Sequence, residues 1–197
     1  VRLHGIGNVK VKLHRPMEGV LKTIGVTRDK CGHWYVLATR EVPSHPLPPS
    51  DESTGVDVGI LTFAALSDGT LIENPRPLET ARIEVERAQR KVSRRKRGSK
   101  RRAEARRLLA KAHAHVANIR RDFHHKTARE LVRKYGRIAI EDLNIKGLAR
   151  GFLAKQVHDA GWGQFVTILA GKAEDAARTL VRVDPDGTSQ ECSGCDE

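Results

Sequence analysis

Three cysteines in 197 residues are too few for a disulfide framework and point to a reducing, intracellular setting. No apolar run approaches the ~20 residues that a membrane-spanning helix needs, and no signal-peptide pattern opens the chain. Aromatic residues make up only 4% of the chain, which leaves little material for stacking on bases. Acids are also in short supply, with 24 Asp plus Glu against 36 Lys plus Arg, a formal charge of +12. That deficit directs the chain toward polyanionic partners, with nucleic acid ahead of a membrane surface. A hydrophobic share of 39% is enough to bury a core and excludes wholesale disorder. The length suits one domain, or one with a small appendage. Because Val1 already sits in a strand-like pattern, further residues upstream are expected.

Residues 1–42 carry β patterning. Val9, Val11 and Leu13 alternate with Lys10 and Lys12, Ile24 and Val26 alternate after Gly19, and "WYVLATREV" (34–42) pairs with that second run across "RDKCGH". The proline-rich "PSHPLPPS" (43–50) marks a linker, taken as 43–54. From Gly55, "GVDVGILTFAALSDGTLIE" predicts strands at about 56–60, 62–66 and 70–73, with a turn at Ser67-Asp68-Gly69-Thr70. A long helical region follows over 78–135, interrupted at Gly98-Ser99. Beyond it come a strand at 137–141, an irregular stretch to about 155, a helix near 159–178 and a strand at 180–183. Trp162, Phe165, Ile168, Leu169 and Ala173 fall on one face of that helix. The order βββ-α-β-α-β describes a mixed α/β layer.

The positive charge is concentrated. Arg82 to Arg107 holds thirteen Lys or Arg against Glu84, Glu86 and Glu104, an excess of ten that leaves almost nothing for the rest of the chain. A charged run is ordinarily a solvated helix face. This one is too one-sided for alternating salt bridges, so an anionic partner would relieve its self-repulsion. With few aromatics in the stretch, phosphate contact fits better than base stacking. The candidate contacts are Arg87, Arg90, Lys91, Arg94, Arg95, Lys96, Arg97, Lys100, Arg101 and Arg102.

Two acids stand out by their neighbours. Asp57 lies between Val56 and Val58, and Glu141 closes the apolar run Ile138-Ala139-Ile140, with Asp142 beside it. An acid embedded in an apolar strand is costly unless it is paired or binds metal. Two on neighbouring strands could hold divalent cations for phosphodiester hydrolysis. The plainer alternatives are an edge or turn carboxylate for Asp57 and a loop-capping acid for Glu141. On the residues alone both readings stand.

"GVDVGI" (55–60), "ENPRPL" (73–78), "RIAIEDLNIKGL" (137–148), "DAGWGQF" (159–165) and "VDPDGTSQECSGC" (183–195) occur in an order that resembles the TnpB/OrfB proteins of bacterial insertion sequences, the transposon-encoded relatives of type V CRISPR nucleases. The resemblance implies a RuvC-like nuclease domain of RNase H fold over 55–187, with a mixed sheet and the long basic helical hairpin 78–135 as an insertion. It implies that residues 1–42 are part of a β-barrel "wedge" and that 188–197 are the first half of a zinc ribbon. Family members are RNA-guided, divalent-metal-dependent DNA endonucleases, which implies Mg2+ as cofactor, a guide RNA and a DNA target as partners, and a cytoplasmic, nucleoid-associated location. Asp57 and Glu141 match the first and second catalytic, metal-binding acids, and the basic helices would lie against the guide–target duplex. Cys192 and Cys195 match one half of a Zn2+ site, expected to stay unfilled. The family's second C-x-x-C and a "DRDxNAA"-type third acid are not found in the 197 residues. The chain is therefore expected to be truncated at both ends and impaired in cleavage, with a non-catalytic nucleic-acid-binding remnant as the alternative.

The remaining candidates receive plainer readings. Cys31, alone in a hairpin turn, is expected to be an ordinary thiol. His113/His115 and His124/His125 have spacings that do not share a helix face, which disfavours a helix metal site, and His124 is expected to be a polar helix residue. Trp162 is expected in the core, with Gly161 and Gly163 allowing close backbone approach.

Overall fold

The computed structural model describes residues 1–14 and 16–184. At the N-terminal end, β1 (Arg2–Leu3) pairs with β2 (Gly7–Asn8), and β3 (Val20–Arg28) forms an antiparallel hairpin with β4 (Trp34–Glu41). The alternation at 9–13 predicts a strand that does not form. Its residues line one cavity with Ile24, Val26, Trp34 and Val36 of the hairpin; Val9 exchanges backbone hydrogen bonds with Val1, and among the described residues no strand pairs with 10–13. Alternation describes a two-sided surface, but a strand also needs a hydrogen-bonding neighbour.

The central sheet has five strands in the order β7-β6-β5-β8-β9. These are β5 (Ser53–Val58), β6 (Thr62–Leu66), β7 (Leu71–Glu73), β8 (Arg137–Glu141) and β9 (Thr179–Val183). The first three run antiparallel as a meander, and β8 and β9 add in parallel. The sheet is therefore mixed. Parallel neighbours require long crossovers. The first contains α1 (Pro77–Thr80), α2 (Arg82–Ser93) and α3 (Lys100–Lys134), and the second α4 (Ile145–Leu148), α5 (Ala154–Ala160) and α6 (Trp162–Asp175).

One face of the sheet makes the core. Thr54, Val56 and Val58 of β5 alternate inward, as do Ile138 and Ile140 of β8, against Ala128, Leu131 and Val132 of α3 and Trp162, Phe165, Leu169 and Ala173 of α6. At the centre Phe63 meets Phe123 and Phe165 edge-on, with ring centroids 4.8 and 5.0 Å away. His124 completes this cluster, 5.5 Å from Phe63 and fully buried, which corrects the expectation of a polar helix residue. Its Nε2 lies 2.9 Å from the Ala160 carbonyl. Since a carbonyl can only accept, Nε2 carries the proton. Burial pushes its pKa below the usual histidine value, so the ring is held neutral.

The predicted helix near 159–178 is two helices that meet at Gly161. That residue has φ +67°, and a Cβ there would fall 2.6 Å from Arg120 Cδ, so both backbone geometry and packing call for glycine. Just before α6, the Asp159 carboxylate accepts from the Leu78 backbone N–H at 2.9 Å and pairs with Arg120 at 3.4 Å, tying α1, α3 and α5 together. Residues ahead of β5 also lie against the sheet's far end. Ser50 Oγ donates to the Lys134 carbonyl at 2.9 Å, and a Cβ on Gly136 would collide with the Ser50 carbonyl oxygen.

A polar clamp fixes the β6–β7 turn to the end of α3. The Tyr135 hydroxyl and the Lys134 ammonium both donate to Asp68 Oδ2, at 2.6 and 2.9 Å. These bonds, that from Tyr135 foremost, hold the Asp68 carboxyl well below its ordinary 3.8. A depressed folded-state pKa gives stability that is present above the ordinary carboxylate value and lost as pH falls below it. Asp68→Asn is therefore expected to flatten the acid limb of a melting-temperature profile below about pH 4, with little change in the slope above it. Phe165→Ala empties the centre of the core and is expected to cost about 3–5 kcal/mol in urea unfolding.

Candidate metal and nucleic-acid site

The register of β5 against β8 decides where the two singled-out acids lie. Val56 pairs with Ile140 and Gly55 with Ala139 in parallel, so Asp57 and Glu141 follow side by side on strands about 4.8 Å apart. Both belong to the opposite set of side chains from the core residues Val56, Val58, Ile138 and Ile140. Asp57 is exposed and Glu141 half-buried. They line one shallow groove of about 350 Å³ together with Gly55, Ala65, Ala139 and Val183. The glycine and alanine neighbours leave room beside the two carboxylates. The structure thus brings together the two acids that the sequence singles out, and neither is buried without solvent access.

Around them the backbone is held firmly. Ser67 Oγ accepts from the Gly55 N–H at 3.1 Å, and Asp57 sits opposite Ala65 in the β5–β6 ladder. The Asp142 N–H donates to the Val183 carbonyl at 2.8 Å, extending the β8–β9 pairing past Glu141. The Asp142 carboxylate itself turns to Arg182 at 3.1 Å. Hard carboxylate oxygens are the donors that Mg2+ prefers, and that ion is commonly held by one or two carboxylates plus substrate phosphates. Two acids beside small residues fit such a cation. Among the described residues, no third His, Cys, Asp or Glu joins them in a compact group of donors.

The basic residues lie on the antiparallel hairpin of α2 and the first half of α3. Ala88 and Val92 pack toward Ala105 and Ala112 along its seam, which leaves the long side chains outward. At ~1.5 Å per residue, the 35 residues of α3 span about 52 Å. Its far half packs on the sheet while the near half projects with α2. Arg87, Lys91, Arg94, Arg95, Lys96, Arg97, Lys100 and Arg101 are exposed. Two candidates differ. Arg90 pairs with Glu86 at 3.7 Å. Arg102 is half-buried and donates to the carbonyls of Val92 at 3.1 Å and Arg95 at 2.8 Å, so it closes the turn between the helices.

Cys192 and Cys195 lie outside the described residues. Cys31 is not isolated: its Sγ and donor atoms of Asp29 and His33 all lie within 4.8 Å of one another. The Asp-x-Cys-x-His spacing of residues 29–33 is the sequence signal for this grouping, which Cys31 taken singly does not carry.

Among the described residues no helix is long and apolar enough to cross a membrane. Comparison with known proteins finds a match to the family OrfB_IS605, described as "Probable transposase", over residues 35–151, and to the Cas12f1-like TNB domain over residues 162–197. Two curated relatives are named "Putative RNA-guided DNA endonuclease". The one from Streptomyces pristinaespiralis is 37% identical over 82% of this chain and 40% of its own length. InsQ of Escherichia coli (strain K12) is 30% identical over 96% of this chain and 51% of its own. The chain thus spans about half the length of these relatives or less. A cryo-EM structure of a Cas12f1–sgRNA–target DNA complex matches with a TM-score of 0.58 at 18% identity, over 88% of this chain and 38% of that one, a likeness of fold alone. With the family match covering more than half of its residues, the chain belongs to the OrfB_IS605 family of probable transposases.

Proposed function

We propose that this chain is part of an RNA-guided, divalent-metal-dependent DNA endonuclease with a RuvC-like sheet of RNase H type, in which Asp57 and Glu141 hold the cation. The observation that carries this reading is the parallel register of β5 and β8, which aligns the two acids on one open face. A meander followed by two parallel strands is the strand arrangement such a sheet requires, and the names of the relatives point the same way. Residues 55–187 form the nuclease unit, the helical hairpin within 78–135 its insertion, and residues 1–42 part of a wedge. Cys192 and Cys195, within 188–197, supply half of a zinc site.

When bound, a divalent cation activates water and offsets charge on the scissile phosphate. Asp57 and Glu141 fix its position from two adjacent strands, so their spacing is set by backbone hydrogen bonds. Gly55, Ala65 and Ala139 leave space for a nucleic-acid strand to approach. The exposed arginines and lysines of α2 and α3 hold phosphates of the guide–target duplex, and Arg102 keeps the two helices in place for that role. A non-catalytic binder is the second reading. It is favoured by one observation, that the exposed arginines and lysines of α2 and α3 can hold phosphates whether or not the two acids carry a cation.

The test separates binding from cleavage. Asp57→Ala is expected to abolish Mg2+-dependent cutting of a guide-matched DNA while leaving its affinity within about twofold; unchanged cutting sinks the assignment. Affinity that persists in both chains, with cutting in neither, selects the second reading. Replacing Arg94, Arg95, Lys96 and Arg97 together by Ala is expected to lower the slope of log affinity against log salt by about 0.7–0.9 for each phosphate that is no longer neutralised. An unchanged slope places the phosphate-binding surface elsewhere.

A further inference from the structure

The β3–β4 hairpin ends in a five-residue loop, 29–33. Asp29 N–H donates to the His33 carbonyl at 2.9 Å, Gly32 N–H to the Asp29 carbonyl at 3.1 Å, and His33 N–H to Asp29 Oδ1 at 2.8 Å. Gly32, at φ +94°, lets the chain turn back within so few residues. This curl brings three chemically different donors to one side: the Asp29 carboxylate, the Cys31 thiol and the His33 imidazole, all within 4.8 Å of one another. Asp29 and Cys31 are half-buried and His33 is exposed.

We propose that Asp29, Cys31 and His33 form a zinc-class site, with Asp29 Oδ2, Cys31 Sγ and His33 Nδ1 as ligands and the fourth position open to water or an exogenous donor. In tetrahedral zinc with these donors, neighbouring ligand atoms stand about 3.3–3.6 Å apart. His33 Nδ1 and Asp29 Oδ2 are already 3.1 Å apart. Cys31 Sγ lies within 4.8 Å of both, so closing onto a shared ion takes a movement of little more than about 1 Å. A thiolate beside an imidazole selects a borderline or soft metal over Mg2+ or Ca2+. The ligand charges, one from carboxylate and one from thiolate, balance a dication. Binding displaces the thiol proton, while the His33 proton moves from Nδ1 to Nε2, so metal affinity rises with pH through the thiol.

The surroundings suit this role. The Tyr35 hydroxyl donates to the same oxygen, Asp29 Oδ2, at 3.2 Å, which helps to orient the carboxylate as supporting groups at metal sites do. Burial would raise the Asp29 pKa, but hydrogen bonds from the His33 backbone, the His33 ring and Tyr35 outweigh it and hold the carboxyl below its ordinary value. All three ligands come from five consecutive residues, so ordering them costs little chain entropy. Occupancy pins the hairpin tip. It does not involve Asp57 or Glu141 and stands apart from the proposed nuclease chemistry.

The test uses the 197-residue chain carrying Cys192→Ser and Cys195→Ser, which removes the other thiols. Titration with Co2+ is expected to give one equivalent of binding, with a thiolate-to-cobalt charge-transfer band and the intense visible bands of tetrahedral cobalt, both removed by Zn2+. Adding Cys31→Ser is expected to abolish the charge-transfer band, and His33→Ala to abolish tight binding. Tyr35→Phe should weaken binding by about tenfold or more. Alkylation of Cys31 in the double variant is expected to slow when Zn2+ is present, which checks the site without any substitution in the loop. The proposal is overturned by absence of Co2+ binding once Cys192 and Cys195 are replaced, by a charge-transfer band that survives Cys31→Ser, or by an alkylation rate indifferent to Zn2+.

Discussion

The parallel pairing of β5 with β8 is the constraint on which the rest of the structure depends. It joins residues 53–56 to residues 137–140, across more than eighty positions of sequence. Closing so long a loop is entropically unfavourable, and local turns cannot supply the compensation. It comes from the face that the pairing creates. Val56, Val58, Ile138 and Ile140 form one continuous apolar surface, and the Phe63–Phe123–Phe165 cluster closes over it. The same hydrogen bonds that align those inward residues align their outward neighbours, Asp57 and Glu141. Core and candidate site are two faces of one register, and a slip of a single residue would destroy both.

The crossover between the paired strands is more than a connection. α3 is anchored at one end by Leu131, Val132 and the Asp68–Lys134–Tyr135 clamp, and in its middle by Arg120 on Asp159 and His124 on Ala160. Its remaining turns project with α2 as a charged arm whose apolar seam is narrow and alanine-rich. Alanines allow two helices to approach closely while leaving arginine and lysine stems to spread outward. The charge thus sits where the packed core no longer crowds it, and its orientation relative to the sheet is fixed by packing far from it.

Much of this was legible in the residues. Strand positions in the meander, the break between the two long helices and the buried face of α6 follow from periodicity and from Gly98-Ser99. The acids were visible because carboxylates inside apolar strands are anomalous. What failed did so for identifiable reasons. The 9–13 alternation carried no information about a pairing partner. His124 looked polar because its aromatic surroundings come from Phe63 and Phe165, distant in sequence. Cys31 looked solitary because its neighbours lie two residues away on either side, a spacing that becomes proximity only when the loop curls.

The sequence by itself determined the local elements, the concentration of charge between Arg82 and Arg107, and the identity of the two embedded acids, because periodicity, composition and side-chain chemistry are local quantities. Only the tertiary structure decided that those acids stand on adjacent strands of one open face, that Arg102 braces the hairpin, and that Asp29, Cys31 and His33 converge. Each of these depends on register, packing or loop closure, which arise between residues and are carried by none of them alone.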